Sequence, residues 1–255
     1  MDLHRAALIT ETDALAELLR EADPATTIPT CPGWTLADLT THVGRAQRWA
    51  AAMITDRSTE ELDTRAVPDG ARPADPQAAA RWLSEGARLV LASVDSIGAN
   101  IEVWTTLGTP RPAGWWIRRL ANEAVAHHAD ALLALGRPVS IEPAVAADAI
   151  SEWLDLLRVG LTRRTETVLP GGTTLHLYAT DQGLGSDGEW FIHPSGPSIT
   201  REHASAKATV TVRARASTLL LVLLGRIRPD DPGIEIHGDP SVLTRWLERT
   251  PFRQP

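Results

Sequence analysis

Asn122-Glu123-Ala124-Val125-Ala126-His127-His128-Ala129-Asp130 is the stretch that decides how this chain is read. It lies in a helical pattern running from about Trp115 to Leu135, with Gly136 and Pro138 as the stop. Glu123 and His127 are four residues apart, so they stack on one helical face and their side chains can reach one point. A carboxylate and an imidazole converging there suit zinc or a similar divalent ion. Two ligands do not make a site, and the third must come from a facing helix. His42 is the best candidate, because Leu39, Ala46 and Trp49 share its side of the preceding helical pattern and turn it toward a bundle interior. A pair spaced four apart is also a common surface ion pair, and a single histidine is often a satisfied core residue. His128 points about a quarter-turn away from His127 and is not expected to be a ligand. Asp130, one turn on, could orient a ligand from behind.

Outward from this stretch, helical periodicity covers most of the N-terminal part. Leu3 to Ala22 forms a first helix. Thr35 and Asp38 resemble a capping box opening a second, which repeats Leu36, Leu39, Val43, Ala46, Ala50 and Met53. A polar, proline-containing loop spans 56–74; Asp75 caps and Pro76 starts a third helix to about Val94. A fifth begins near Pro143 and carries Ile150, Trp153, Leu154, Leu157 and Leu161. After Arg164 the pattern changes. Thr174 to Thr180, Glu189 to His193 and Ala208 to Arg213 read as strands, followed by a short helix over Ser217 to Leu224, a strand holding Ile234 and Ile236, and a last helix from about Pro240 to Arg249. Helices followed by strands predict two domains: an all-α domain over 1–164 and a small α+β domain over 165–255.

The bulk numbers narrow the function. The chain has 255 residues, 43% hydrophobic and 22% charged, enough to bury a core. A net charge of −7 argues against nucleic acid or an anionic membrane as the main partner. Cys31 is the single cysteine, so no internal disulfide can form, which fits a reducing compartment. The start of the chain shows no basic n-region or cleavage site, and the longest aliphatic run, Leu219 to Leu224, is too short to span a bilayer. A cytoplasmic location is expected. Lys207 is the only lysine, so a carboxylate on a ligand would meet guanidinium groups, which bind it bidentately.

Two motifs carry a resemblance. Cys31-Pro32-Gly33-Trp34-Thr35, followed by Leu39-Thr40-Thr41-His42-Val43-Gly44, and then Arg118-Arg119-Leu120-Ala121-Asn122-Glu123 through His127 with Asp130-Ala131, resemble the mycothiol-dependent maleylpyruvate isomerase family, a branch of the DinB-like metalloproteins. Leu224-Gly225-Arg226 and Ile236-His237-Gly238-Asp239 with Trp246-Leu247 are similar to that family's C-terminal domain, which is like sterol carrier protein folds. The resemblance implies a DinB-like four-helix bundle whose His42, Glu123 and His127 hold one divalent metal, with zinc the expected ion, and it implies mycothiol as thiol cofactor. Asn122 departs from the family, which often has histidine there, but it is not a ligand position.

A metal-held thiol is deprotonated and nucleophilic. The expected function is therefore addition of that thiolate to an electrophilic small molecule, giving either maleylpyruvate-type cis–trans isomerisation or thiol S-transfer. Arg226 is the leading candidate for a catalytic arginine, because the resemblance puts its turn in a domain that could close over the metal. Arg45 and Arg48, one and two turns after His42, are the next candidates for binding substrate, with Arg45 preferred; Arg119 can support Glu123 as an i,i+4 pair. Cys31 reads as structural. Trp34, Trp49, Trp115 and Trp116 could line a pocket or fill the core. The alternatives are a non-catalytic metal-binding or ligand-carrying protein and a hydrolase working through metal-bound water. The sequence leaves the oligomeric state unassigned.

Overall fold

The computed structural model describes residues 2–162 and 167–251. It separates into two compact units, Met1–Val139 and Ser140–Pro255. The change of sequence pattern at 164–165 lies outside the described residues.

The first unit is a bundle of α1 (Asp2–Glu21), α2 (Leu36–Thr55), α3 (Pro76–Ile97) and α4 (Gly114–Ala134). Helix α1 packs on α3 and α4, and α2 packs on α3 and α4. The starts of α2 and α3 are those the sequence predicts. Thr35 and Asp38 form a reciprocal capping box, and the Asp75 side chain accepts from Ala78 N–H with Pro76 in the first turn. Leu8, Leu15, Leu36, Leu39, Met53 and Leu83 are fully buried between the helices. Between α3 and α4 the proline-rich break contains a two-residue antiparallel pair, β1 (Glu102–Val103) with β2 (Arg111–Pro112).

Gly44 sets how closely α2 can lie against α3. A Cβ there would stand 2.1 Å from the Trp82 ring, so only glycine admits the indole onto this face. Trp82 is in turn fixed by its N–H, which donates to Asp69 O at 2.7 Å. Arg48 stacks over the same indole at 4.2 Å and donates to Trp82 O at 2.8 Å.

The second unit opens with α5 (Pro143–Leu161), which packs on α6 (Ala216–Leu223) and β5 (Ser198–Glu202). Its five-stranded sheet has the order β5–β4–β3–β6–β7, made of β3 (Leu175–Ala179), β4 (Glu189–Ser195), β5 (Ser198–Glu202), β6 (Val210–Ala214) and β7 (Glu235–Gly238). Among these strands only β3 and β6 pair in parallel, and the long connection through β4 and β5 lets the chain return in the same direction. Leu175, Leu177, Trp190, Ile192, Val210 and Val212 are buried and alternate with more exposed residues on β4 and β6. Helices α6 (Ala216–Leu223) and α7 (Pro240–Arg249) complete the unit. The sequence reading lacked β5, whose Ser-Ile-Thr-Arg-Glu has one apolar residue and pairs as a hairpin after Gly196. The described chain is thus a helical bundle followed by an α+β unit, and no described helix is long and apolar enough to cross a membrane.

Candidate metal centre

Helices α2 and α4 bring His42, Glu123 and His127 together. One ligand atom from each lies within 4.8 Å of the others, and His42 Nε2 is 3.4 Å from Glu123 Oε2. Donors about 2.0–2.2 Å from a tetrahedral zinc stand roughly 3.3–3.6 Å apart, so the spacing fits such an ion. The donor set fits too: two imidazoles and a carboxylate are borderline-soft and oxygen donors that zinc accepts.

The surroundings prepare each donor. His127 is buried, and its Nδ1 lies 3.1 Å from Asp130 Oδ2, also buried. With the ring hydrogen on Nδ1, the lone pair is on Nε2, the nitrogen on the opposite side of the ring from Asp130. Arg119 forms an ion pair with Glu123 Oε1 one turn along α4, while His42 faces Oε2. Burial works against the charged carboxylate. The Arg119 charge and the hydrogen bond from His42 outweigh it and hold Glu123 well below the usual carboxylate range. Glu123 is therefore ionised, as a ligand must be. Trp34 covers the two imidazoles, its ring centroid 5.0 Å from His42 and 6.3 Å from His127.

The other sequence candidates part company here. His128 turns away and meets Glu11 Oε2 at 2.7 Å through Nδ1. Arg48 is 4% exposed and committed to Trp82 and Gly44 O, so it is a structural residue of the α2–α3 contact. Arg45 is exposed and lines a cavity of about 560 Å³ with Thr41, Arg65, Asp69 and Arg72. In that wall Arg72 Nε donates to Thr41 Oγ1 at 3.0 Å, and Arg65 pairs with Asp63 at 2.8 Å. Arg226 follows α6 in the second unit, and its guanidinium donates to Leu224 O at 2.6 Å. Trp49, Trp104, Trp115 and Trp116 form an edge-to-face cluster with centroids 5.1–5.9 Å apart. The sequence reading left Cys31 without a partner; its thiol meets Asp130. It also left out Arg65 and Arg72, which nothing in their polar loop sets apart from other arginines.

A helical bundle with two histidines and a glutamate converging between facing helices, followed by an α+β unit, defines the class: a helical-bundle protein with a candidate metal centre and an appended mixed-sheet domain. The mycothiol maleylpyruvate isomerase N-terminal domain model matches residues 5–132 and the corresponding C-terminal domain model matches residues 144–245. The chain belongs to the mycothiol-dependent maleylpyruvate isomerase family. A crystal structure of the mycothiol-dependent maleylpyruvate isomerase is similar at a TM-score of 0.60 and 16% identity, over 92% of both chains. A histidine-to-alanine variant of that protein gives a TM-score of 0.61, also at 16% identity and 92% of both chains. At this identity the likeness concerns the fold. No curated protein matches the chain in sequence.

Proposed function

We propose that this chain is a metal-dependent enzyme that uses mycothiol to attack an electrophilic small molecule, with maleylpyruvate-type cis–trans isomerisation or thiol S-transfer as the reaction. The observation that carries the proposal is the convergence of His42, Glu123 and His127 with Asp130 behind them. In this reading those three residues hold one divalent ion, with zinc the ion their donor set favours, and three protein ligands are the number that catalytic zinc sites use. The bound ion supplies the charge that keeps a cofactor thiol as its nucleophilic thiolate at neutral pH.

The chain's own residues do the rest. Asp130 fixes the His127 ring so that Nε2 faces the centre. Arg119 holds Glu123 in position and ionised. Arg45, one turn after His42 and facing the 560 Å³ cavity, is assigned to a carboxylate of the substrate. Arg226 is assigned to catalysis on the family resemblance alone. The nucleophile in this reading is the cofactor thiol and not Cys31, which is buried at 4% exposure. A cytoplasmic location goes with this reading, because the cofactor thiol must stay reduced.

The test is a thiol-dependence assay of metal-loaded protein, comparing mycothiol with glutathione against several electrophiles. Turnover should require mycothiol and vanish in His42→Ala, while Cys31→Ser keeps most of it. Replacing the ion with cobalt and adding mycothiol should give a sulfur-to-metal charge-transfer band. Thiol-independent turnover, or an inactive Cys31→Ser protein with its metal intact, would overturn the proposal.

A further inference from the structure

Among the described residues, a second group of potential ligands shares His127 with the first: Cys31, His127 and Asp130, with donor atoms within 4.8 Å of one another. All three are buried, at 4%, 1% and 0% exposure. Cys31 Sγ–H donates to Asp130 Oδ2 at 3.5 Å, and His127 Nδ1 faces the same oxygen at 3.1 Å. One carboxylate oxygen thus serves a thiol from the loop before α2 and an imidazole on α4.

That loop is built to deliver the thiol. Ile28 N donates to Trp34 O at 2.9 Å, Cys31 N to Ile28 O at 3.0 Å, and Trp34 N to Cys31 O at 3.0 Å. Gly33 takes φ +85°, in the left-handed region that glycine adopts without strain. The turn therefore holds Cys31 down onto Asp130 and Trp34 across His42 and His127, while Thr35 caps α2.

A metal inside the Cys31 group and a metal between His42 and Glu123 would compete for one imidazole. The first takes its Nδ1, the second its Nε2, and a neutral ring has one lone pair. The two-helix group leaves Nδ1–H to Asp130, which is the contact observed. Resting on the metal reading above, we infer that Cys31 is a positioning residue for the metal centre: its thiol holds the Asp130 carboxylate in the orientation that locks His127 as the Nδ1–H tautomer. The thiol is itself fixed by a bonded turn, so it restrains how the carboxylate can rotate beside the imidazole. Removing partners behind a metal-bound histidine typically costs 10–100-fold in metal affinity.

The experiment uses the full chain with Cys31→Val, which keeps the volume without a donor, Cys31→Ala in case valine disturbs packing, and Cys31→Ser, which keeps a donor. Long-range nitrogen–proton NMR on metal-free protein reads the His127 tautomer, and chelator competition reads the zinc dissociation constant. Wild type and Cys31→Ser should show a single Nδ1–H tautomer. Cys31→Val and Cys31→Ala should lose it and bind zinc about 10-fold more weakly at unchanged helix content. A donor-free variant that retains the tautomer and binds zinc within about twofold of wild type would overturn the inference. So would a sulfur-to-cobalt band in cobalt-loaded protein without added thiol, which would place the metal on Cys31. If wild type binds no zinc, the metal reading fails, and the tautomer measurement still decides what Cys31 does to His127.

Discussion

The two units contain the same titratable residues and use them differently. In the bundle, His42, Glu123 and His127 converge on a point. In the sheet, His176 meets Glu189 at 3.3 Å, His193 meets Glu202 at 3.4 Å and His237 meets Glu235 at 3.5 Å, yet among the described residues none of these pairs gains a third ligand. Side chains one helical turn apart lean over the same patch, and a facing helix can add a third. In the sheet the same residue types meet in twos, His237 with Glu235 along one strand and the other two pairs across neighbouring strands. Histidine and glutamate content alone therefore does not make a metal site; which side chains the fold brings together decides.

The largest expected effect breaks this contrast directly. His42→Ala, Glu123→Ala and His127→Ala should each lose the bound ion, whereas His176→Ala, His193→Ala and His237→Ala should keep about one ion per chain by elemental analysis. Metal retained by all three bundle variants would remove the proposed site. Truncation sharpens the same point. A chain ending at Val139 contains every proposed ligand and the whole first unit, and we expect it to fold and bind metal. A chain ending at Arg164, where the sequence pattern changes, should behave alike but expose α5, seen as a tendency to associate in sedimentation. Failure of the shorter chain with success of the longer would place the folding boundary at 164.

Smaller effects follow from packing. Gly44→Ala should cost about 1–3 kcal/mol in thermal or denaturant unfolding, because the added methyl meets the Trp82 ring. The pH dependence of metal-free protein tests Glu123. Its folded-state acidity lies below the ordinary value of 4.5, so the unfolded chain takes up the proton first. The contribution is complete above that value and is lost as pH falls through and below it. Stability should drop over that range, and the drop should be shallower in Glu123→Gln. The smallest change is expected in the second unit, where Gly160 of α5 has nothing within 4 Å of a Cβ. Gly160→Ala should stabilise the protein by at most about 0.5–1 kcal/mol, the helix-interior difference between the two residues, because Gly160 is the next-to-last residue of α5.

Much of the architecture was legible in the sequence because local rules govern helices. Periodicity gave all five long helices, and Thr35, Asp75 and Pro76 marked two of their starts through hydrogen bonds made within one turn. The pairing of Glu123 with His127, and the departure of His128, follow from helical geometry alone. The choice of His42 rested on its apolar neighbours and on the family motifs.

What the sequence by itself determined is therefore the set of helices, the order of bundle and sheet, and the one-turn spacing of Glu123 and His127. Only the tertiary structure decided which residues meet across gaps in the chain. It placed Cys31 on Asp130 across 99 positions, buried Arg48 against Trp82, sent Arg45 to a cavity with Arg72, and packed α5 onto α6 and β5. The physical reason is range. Caps and helical faces are fixed by residues a few positions apart, whereas a contact between distant segments depends on how whole helices seat, and here that seating turns on a missing side chain at Gly44 and a bonded turn at Ile28 to Trp34.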